Sequence, residues 1–142
     1  MSFPSSTFRR DLAITKCQGG FPNEITAISY DPIPAVSGQN MTVTLSGTNT
    51  VTVLEGATVN VTGLYQGTHA FEHIMDFCKV WVEVNGAKCP VAPGSFKYIT
   101  PLHLETHPDD PKNTTIEYDF IFKNPKIDLS CIEGKKFSVY YP

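Results

Sequence analysis

The sequence predicts a single all-β domain, an immunoglobulin-like β-sandwich of about seven antiparallel strands. Its dominant hydrophobic period is two, which is typical of half-buried strands, and turn residues recur between the apolar runs. No window of 11 residues shows a convincing helical pattern; residues 68–77 come nearest to one, but they fit a loop folded over a cavity mouth equally well. The chain has 142 residues, the length of one domain, and a domain of this size buries roughly 68% of the surface exposed by the unfolded chain.

Each predicted strand is a short run in which apolar residues share one parity. These sets are Met41, Val43 and Leu45; Ala57, Val59 and Val61; Val80, Val82 and Val84; Phe96, Tyr98, Leu102 and Leu104; Ile116, Tyr118, Phe120 and Phe122; and Phe137, Val139 and Tyr141. Turn chemistry such as Ser37-Gly38 and Asn85-Gly86 separates them. With no repeat and no linker, we expect a flexible N-terminal segment at residues 1–13 and one domain at residues 14–142.

The charge pattern excludes one class of partner. The net charge is −3 and only 18% of the residues are charged, without the basic stripe that nucleic-acid binding requires. We therefore expect no nucleic-acid partner. No apolar run approaches the roughly 18 residues of a membrane-spanning helix. Because residues 1–10 contain no apolar core of a signal peptide, we interpret the chain as a mature or trimmed form.

The four cysteines indicate structural disulfides. Cys17, Cys78, Cys89 and Cys131 allow three connectivities, and sequence alone does not choose among them. The absence of a CxxC motif argues against a zinc ribbon or a redox pair. A local staple from Cys78 to Cys89 across a hairpin suits the spacing, and it would leave Cys17 and Cys131 to tie the first strand to the last.

Three sequons point to the secretory pathway. Asn40, Asn60 and Asn113 each begin an Asn-x-Thr motif, the acceptor of N-glycosylation in secreted proteins. Asn40 and Asn60 have the polar parity of their predicted strands, so a glycan there would point to solvent. Together with an even cysteine count, the sequons predict a glycoprotein that is secreted or lies in the vacuolar or lysosomal lumen.

Motifs for catalysis are weak. Residues 69–73, His-Ala-Phe-Glu-His, match a zinc-protease pattern, but that mechanism needs both histidines on one helical face, and the surrounding pattern is strand and loop. His103 and His107 repeat the spacing on a predicted strand. No nucleophile elbow is present, and the thiols are assigned to disulfides. We expect no catalytic residue, no metal site and no cofactor.

The aromatic content is high for a small sandwich. The residues concerned are Tyr30, Phe71, Phe77, Trp81, Phe96, Tyr98, Tyr118, Phe120, Phe122 and Phe137. Either the two sheets meet over a dry aromatic core, or they splay apart around an apolar ligand. Composition leaves both arrangements open.

Several ordered motifs together resemble a known family. They are residues 25–30 with Pro32 and Pro34, residues 38–43, residues 55–61, Asp76-Phe77-Cys78, Cys89-Pro90 with residues 91–94, and residues 129–132. This order resembles the ML (MD-2-related lipid-recognition) family, and within it the fungal phosphatidylglycerol/phosphatidylinositol transfer protein and NPC2-like branch. The resemblance spans about residues 17–142.

The resemblance implies a sandwich with an apolar cavity between the sheets and disulfides Cys17–Cys131 and Cys78–Cys89. NPC2 proteins usually carry a third bridge near residues 31–35, and its absence here favours the transfer-protein branch. Carried over strand by strand, Phe71 lies on the entrance loop. The lipid-binding wall comprises Ile28, Tyr30, Met41, Val43, Leu45, Val59, Val61, Leu102, Tyr118 and Phe120.

We therefore expect a carrier that holds a sterol or a phospholipid, such as phosphatidylglycerol or phosphatidylinositol, and moves it between membranes. It would be a monomer that contacts membrane surfaces transiently, with a membrane lipid-acceptor protein as a candidate partner. The alternative is an ML-type interaction module whose bound lipid licenses contact with a receptor or other protein. A large exposed apolar patch would favour that module. A ligand-free adhesion sandwich would instead have a fully packed core.

Overall fold

The computed structural model describes residues 10–11, 13–32, 35–36, 38–65, 68–103 and 113–140. Within these residues, ten strands form two packed sheets. The strands are β1 (Arg10–Asp11), β2 (Ala13–Lys16), β3 (Glu24–Asp31), β4 (Ala35–Val36), β5 (Asn40–Asn49), β6 (Thr58–Tyr65), β7 (Thr68–Asp76), β8 (Gly94–His103), β9 (Asn113–Lys123) and β10 (Asp128–Tyr140). Seven of them have eight or more residues, so the predicted sandwich of about seven main strands is confirmed.

The smaller sheet has the order β1-β3-β5-β8, and the larger has the order β2-β10-β9-β6-β7, with β4 paired in parallel to the end of β10. In the smaller sheet Leu45 lies opposite Tyr98. In the larger sheet Val59 lies opposite Phe122. Because side chains alternate along a strand, each such pair fixes the face on which its whole row lies. Phe77 contacts the rings of both Tyr98 and Phe122, so both rows point between the sheets.

Residues 68–76 differ from the prediction. They form strand β7 at the edge of the larger sheet, where the sequence showed no convincing helix and suggested a loop over a cavity mouth. A β-bulge opposite Gly63 and Leu64 shifts the register within the strand, which breaks the simple alternation. Solvent also reaches the outer face of this edge strand, where Ile74 is 69% exposed. Because of the exposed Ile74 and the register shift, the apolar residues of this strand do not alternate regularly, and periodicity does not predict it.

The residues that follow are helical instead of extended. A π-helical turn at Cys78–Val82 and a 3-10 turn at Glu83–Asn85 make up a short helical segment. Tertiary contacts override the β-branched composition here. Trp81 is fully buried, and the Thr100 hydroxyl donates to the Val80 carbonyl at 3.0 Å. The strand predicted from Val80, Val82 and Val84 is therefore wrong.

Both disulfides form as expected. Cys17 pairs with Cys131 and Cys78 with Cys89. The first joins the residue after β2 to β10, and the second ties the helical segment to the loop that follows it, not to a hairpin strand. In the described part of the chain no cysteine is free. Among the same residues, no helix is long and apolar enough to cross a membrane.

One end of the sandwich is closed by the connection between the two sheets, residues 50–57; we call this the capped end. Two buried asparagines hold the connection. Asn23 Oδ1 accepts from the backbone N–H groups of Thr50 and Val51 at 2.8 and 2.9 Å. Asn124 Oδ1 accepts from the Leu54 N–H, and its Nδ2 donates to the Thr52 carbonyl, both at 2.9 Å. These bonds satisfy backbone groups that would otherwise be costly to bury, so the cap is a fixed part of the fold.

A chain of aromatic ring contacts crosses the interior from one sheet to the other. Successive ring centroids are 5.0–6.2 Å apart, within the range of favourable aromatic pairs. In order of contact the rings are Phe96, Tyr98, Phe77, Phe122, Phe120 and Tyr118. Four of the six, Tyr98, Phe77, Phe122 and Tyr118, are buried, whereas Phe96 and Phe120 are half-buried. Aromatic packing therefore fills the interior near the capped end.

Substitution of Gly47 tests how closely the smaller sheet is packed around this residue. A Cβ atom there would overlap the Glu24 carbonyl oxygen and lie 2.8 Å from Phe96 Cζ. Because a backbone atom must move, Gly47→Ala is expected to lower the free energy of unfolding by about 1–3 kcal/mol, measured by urea denaturation. Gly20→Ala is the matched control, since nothing lies within 4 Å of its Cβ position. Equal stability of the two variants would contradict the packing described.

Candidate ligand site between the sheets

The predicted wall residues come together between the two sheets. Seven of them are buried: Ile28, Tyr30, Val43, Leu45, Val59, Val61 and Tyr118. Met41, Leu102 and Phe120 share the same inward parity but are only half-buried. Residue 71 lies in strand β7 opposite Gly63 and not on a loop, while its side chain lies outside the described residues, as do the side chains of Leu104, Ile116, Phe137, Val139 and Tyr141. The predicted wall is thus one continuous inward surface contributed by both sheets.

Phe120 shows that solvent reaches this inward surface. It lies on β9, which has a partner strand on each side, and it pairs with Val61 and Ile132. Those two neighbours are 9% and 1% exposed, yet Phe120 remains half-buried. In a fully packed sandwich, an inward aromatic residue on an internal strand is sealed by the opposite sheet. The sheets are therefore not in full contact over Phe120.

Two tyrosines bring polar groups to this apolar surface. Tyr30 lies on the smaller sheet and Tyr118 on the larger, and both are 3% exposed. Burial, and to a lesser extent the nearby Tyr30, raises the pKa of the Tyr118 hydroxyl above its ordinary value. Burial also raises the pKa of Tyr98. With their pKa values raised, the hydroxyl groups of Tyr118 and Tyr98 serve as hydrogen-bonding groups and not as charges.

The sequence analysis missed four positions on the inward surface. Gly63 and Gly134 flank Tyr118 in the sheet, and a Cβ atom on Gly134 would overlap the tyrosine ring. Ile132 shares the parity of the wall and pairs with Phe120. Thr100 occupies an inward position on β8, where its hydroxyl is satisfied by the helical segment. A glycine opposite an aromatic residue is the one signal that sequence could have offered.

The described candidate modification and metal residues lie away from the inward surface, except His73, which pairs with Val61 at the exposed edge strand and shares its inward parity. Asn40 is exposed, with Oδ1 3.0 Å from His103 Nδ1. Asn60 is half-buried on the outer face, where its Nδ2 donates to Glu72 Oε2 at 3.0 Å. The side chains of Asn113 and His107 lie outside the described residues. His69 and His73 are exposed on a strand, and among the described side chains no three His, Cys, Asp or Glu residues are placed to hold a metal ion.

The outer face of the larger sheet carries a row of acidic residues. Asp119 lies directly opposite Glu133 on β10 and two residues from Glu117 on its own strand. Its partner on β6 is the uncharged Thr62, which in turn lies opposite Glu72. Burial first, and then Glu133 and Glu117, raises the pKa of the Asp119 carboxyl group. The Asp119 carboxyl group therefore loses its proton less readily in the folded protein than in the unfolded chain.

This acidic row predicts a pH-dependent stability. Because the folded pKa of Asp119 is raised, its carboxylate weakens the fold at neutral pH, and the loss disappears as the pH falls through the raised pKa towards 3.8. Asp119→Asn should therefore raise the free energy of unfolding at pH 7, by less than about 1 kcal/mol since solvent screens the group. Urea titrations at pH 7 and at pH 4 measure the difference. A gain of the same size at both values would contradict this account.

Comparison with known proteins identifies the family to which this fold belongs. The model of the ML domain matches residues 11–136, so the chain belongs to the ML domain family. Over 96 residues it is 32% identical to a phosphatidylglycerol/phosphatidylinositol transfer protein of Yarrowia lipolytica, a match that covers 66% of this chain and 50% of that protein. The matched region thus spans about half the length of this relative.

Two solved structures share the fold. The first is the Niemann-Pick type C2 protein of the Japanese carpenter ant, with a TM-score of 0.66 and 17% identity over 92% of this chain and 99% of that one. The second is the C-terminal domain of wzt, with a TM-score of 0.51 and 11% identity over 96% of this chain and 81% of the other. These similarities confirm the β-sandwich.

Proposed function

We propose that this protein is a lipid carrier, which binds one phospholipid between its sheets and moves it between membranes without catalysis. The observation that carries the proposal is the half-buried Phe120 on an internal strand, because it marks apolar interior surface that the fold itself leaves uncovered. An acyl chain would cover that surface. Membership of the ML family and the name of the Yarrowia relative support the same class of ligand.

The chemistry of the inward surface suits an amphipathic ligand. Most side chains on its parity are apolar, and the polar exceptions among the described residues include Thr100, Ser130 opposite Phe122, the exposed His73 opposite Val61, and the tyrosine hydroxyl groups. Each CH₂ group buried gains about 0.8 kcal/mol, which offsets the loss of similar contacts in the bilayer. Transfer is then an exchange between two apolar phases, and the protein lowers the barrier of passage through water. A sterol is the other ligand that such a surface could take.

The two disulfides are typical of proteins that fold in an oxidising compartment. We therefore assign the carrier to the secretory pathway, where the sequons of Asn40, Asn60 and Asn113 would meet the glycosylation machinery. Release into the medium or retention in a vacuolar or lysosomal lumen both agree with that chemistry. Membrane contact is transient in this scheme, since the lipid is the cargo.

A vesicle assay tests the proposal. Donor vesicles carry self-quenched fluorescent phosphatidylglycerol, and acceptor vesicles carry none. We expect the rate of dequenching to rise in proportion to protein concentration, above the baseline of vesicles alone. A parallel arm with a fluorescent sterol identifies the ligand class. If the protein binds lipid but accelerates neither transfer, it is an interaction module; if it neither binds nor transfers, the proposal fails.

A further inference from the structure

We infer that the Phe77 ring is the floor of the lipid pocket and sets the length of acyl chain that the protein accepts. This inference rests on the proposed function, and it concerns a residue outside the predicted lipid-binding wall. Two observations support it. The Phe77 ring contacts both sheets, and the interior is closely packed on one side of this ring and uncovered on the other.

Phe77 closes the gap between the sheets. Its ring meets Tyr98 of the smaller sheet edge-on at 5.9 Å and Phe122 of the larger sheet edge-on at 5.8 Å. The side chain is 5% exposed. The ring pairs Phe96–Tyr98, Tyr118–Phe120 and Phe120–Phe122 each lie within one sheet, whereas Phe77 contacts a ring of each sheet. The three rings therefore form a partition across the sandwich.

The backbone of Phe77 is anchored on both sides. Its N–H donates to the Ala57 carbonyl at 2.9 Å, which ties it to the cap. The next residue, Cys78, is held by its disulfide to Cys89. Asp76 Oδ1 accepts from the Lys79 N–H at 2.9 Å and fixes the turn into the helical segment. A ring on such a backbone has little freedom to move away from an incoming chain.

The two sides of the partition differ. Between Phe77 and the cap lies a cavity of about 10 Å³, lined in part by Asn23, Asn49 and Ser130, and this volume holds one water molecule at most. On the other side Phe120 stacks on Phe122 at 6.2 Å and is half-buried. The uncovered apolar surface around Phe120 thus ends at the partition. An acyl chain lying over Phe120 would meet the rings of Phe122 and Phe77.

The test is a competition among phosphatidylglycerols that differ only in acyl-chain length. The full-length protein is incubated with vesicles that contain them in equal amounts, and the bound lipid is identified by mass spectrometry. We expect Phe77→Ala to shift the bound lipids to longer chains. A chain about two methylenes longer than the wild-type optimum should bind to Phe77→Ala about 16-fold more tightly than to the wild type, since each buried methylene is worth about fourfold in affinity.

Two further variants keep the test decisive if Phe77→Ala does not fold. Phe77→Leu should shift the profile in the same direction by less, and Phe77→Trp should shift it to shorter chains. The matched control is Phe96→Leu, which removes a ring that lies on the capped side of the partition and stacks on Tyr98 at 5.1 Å. This control should keep the wild-type profile.

The outcomes separate the two proposals. If the wild type binds phosphatidylglycerol and every Phe77 variant keeps its chain-length profile, the floor assignment is wrong while the carrier function stands. If Phe96→Leu shifts the profile as Phe77→Leu does, general loosening of the core is the cause and the assignment is again wrong. If no protein in the series binds any phospholipid or sterol, the carrier function itself fails.

Discussion

Removal of the Cys17–Cys131 disulfide is expected to lower the free energy of unfolding by about 4–5 kcal/mol. The two cysteines are 114 residues apart in sequence, so the bridge restricts nearly the whole unfolded chain, and the loop-entropy model assigns about that value to a loop of this length. The double variant Cys17→Ser, Cys131→Ser removes the bridge without leaving a free thiol. Urea denaturation at neutral pH measures the change.

The second disulfide provides the matched comparison. Cys78 and Cys89 are only 11 residues apart, so the variant Cys78→Ser, Cys89→Ser should lose roughly 3 kcal/mol. The order of the two losses follows from loop length. A larger loss for the short bridge than for the long one would show that local packing of the helical segment, and not loop entropy, dominates these contributions.

Phe120→Ala is expected to weaken lipid binding roughly 10- to 100-fold. A phenylalanine side chain covered by a ligand contributes about 1.5–3 kcal/mol of apolar burial. Because Phe120 is only half-buried in the protein alone, much of that burial should come from the ligand. The dissociation constant for a fluorescent phospholipid, measured by titration, tests the expectation.

Ile121 is the matched control for this experiment. It is the next residue on β9, it is also half-buried, and it faces the opposite side of the sheet, where it pairs with Asn60 and Cys131. Ile121→Ala should leave the dissociation constant unchanged while removing a similar apolar side chain. Equal weakening by both substitutions would mean that the lipid does not lie between the sheets.

The fold was predictable where one face of a strand is buried and the other is exposed to solvent. β5 is the clearest example, since Val43 and Leu45 point inward from a strand whose other residues include Thr42 and Ser46. Prediction failed where local pattern and tertiary contact disagree. The run around Val80 has the composition of a strand, but the burial of Trp81 against the sandwich and the bond from Thr100 hold it in helical turns.

The candidate site was predictable in its residue types but not in its shape. Parity alone places Tyr118 and Phe120 on one inward face, and the structure agrees. How far each ring is covered depends on the separation of the sheets, which no single strand encodes. The role of Phe77 also escapes sequence analysis, because it depends on a ring that reaches Tyr98 and Phe122 from a residue between a strand and a helical turn.

The most direct test of the carrier function is native mass spectrometry of the protein purified from a eukaryotic secretion host, with identification of any lipid released on denaturation. We predict a one-to-one adduct with the mass of a phospholipid, which denaturation removes. An adduct of sterol mass would keep the carrier function and change the ligand class. A bare polypeptide that takes up neither lipid on incubation with vesicles would contradict the account, since the surface around Phe120 would then have no lipid to cover it.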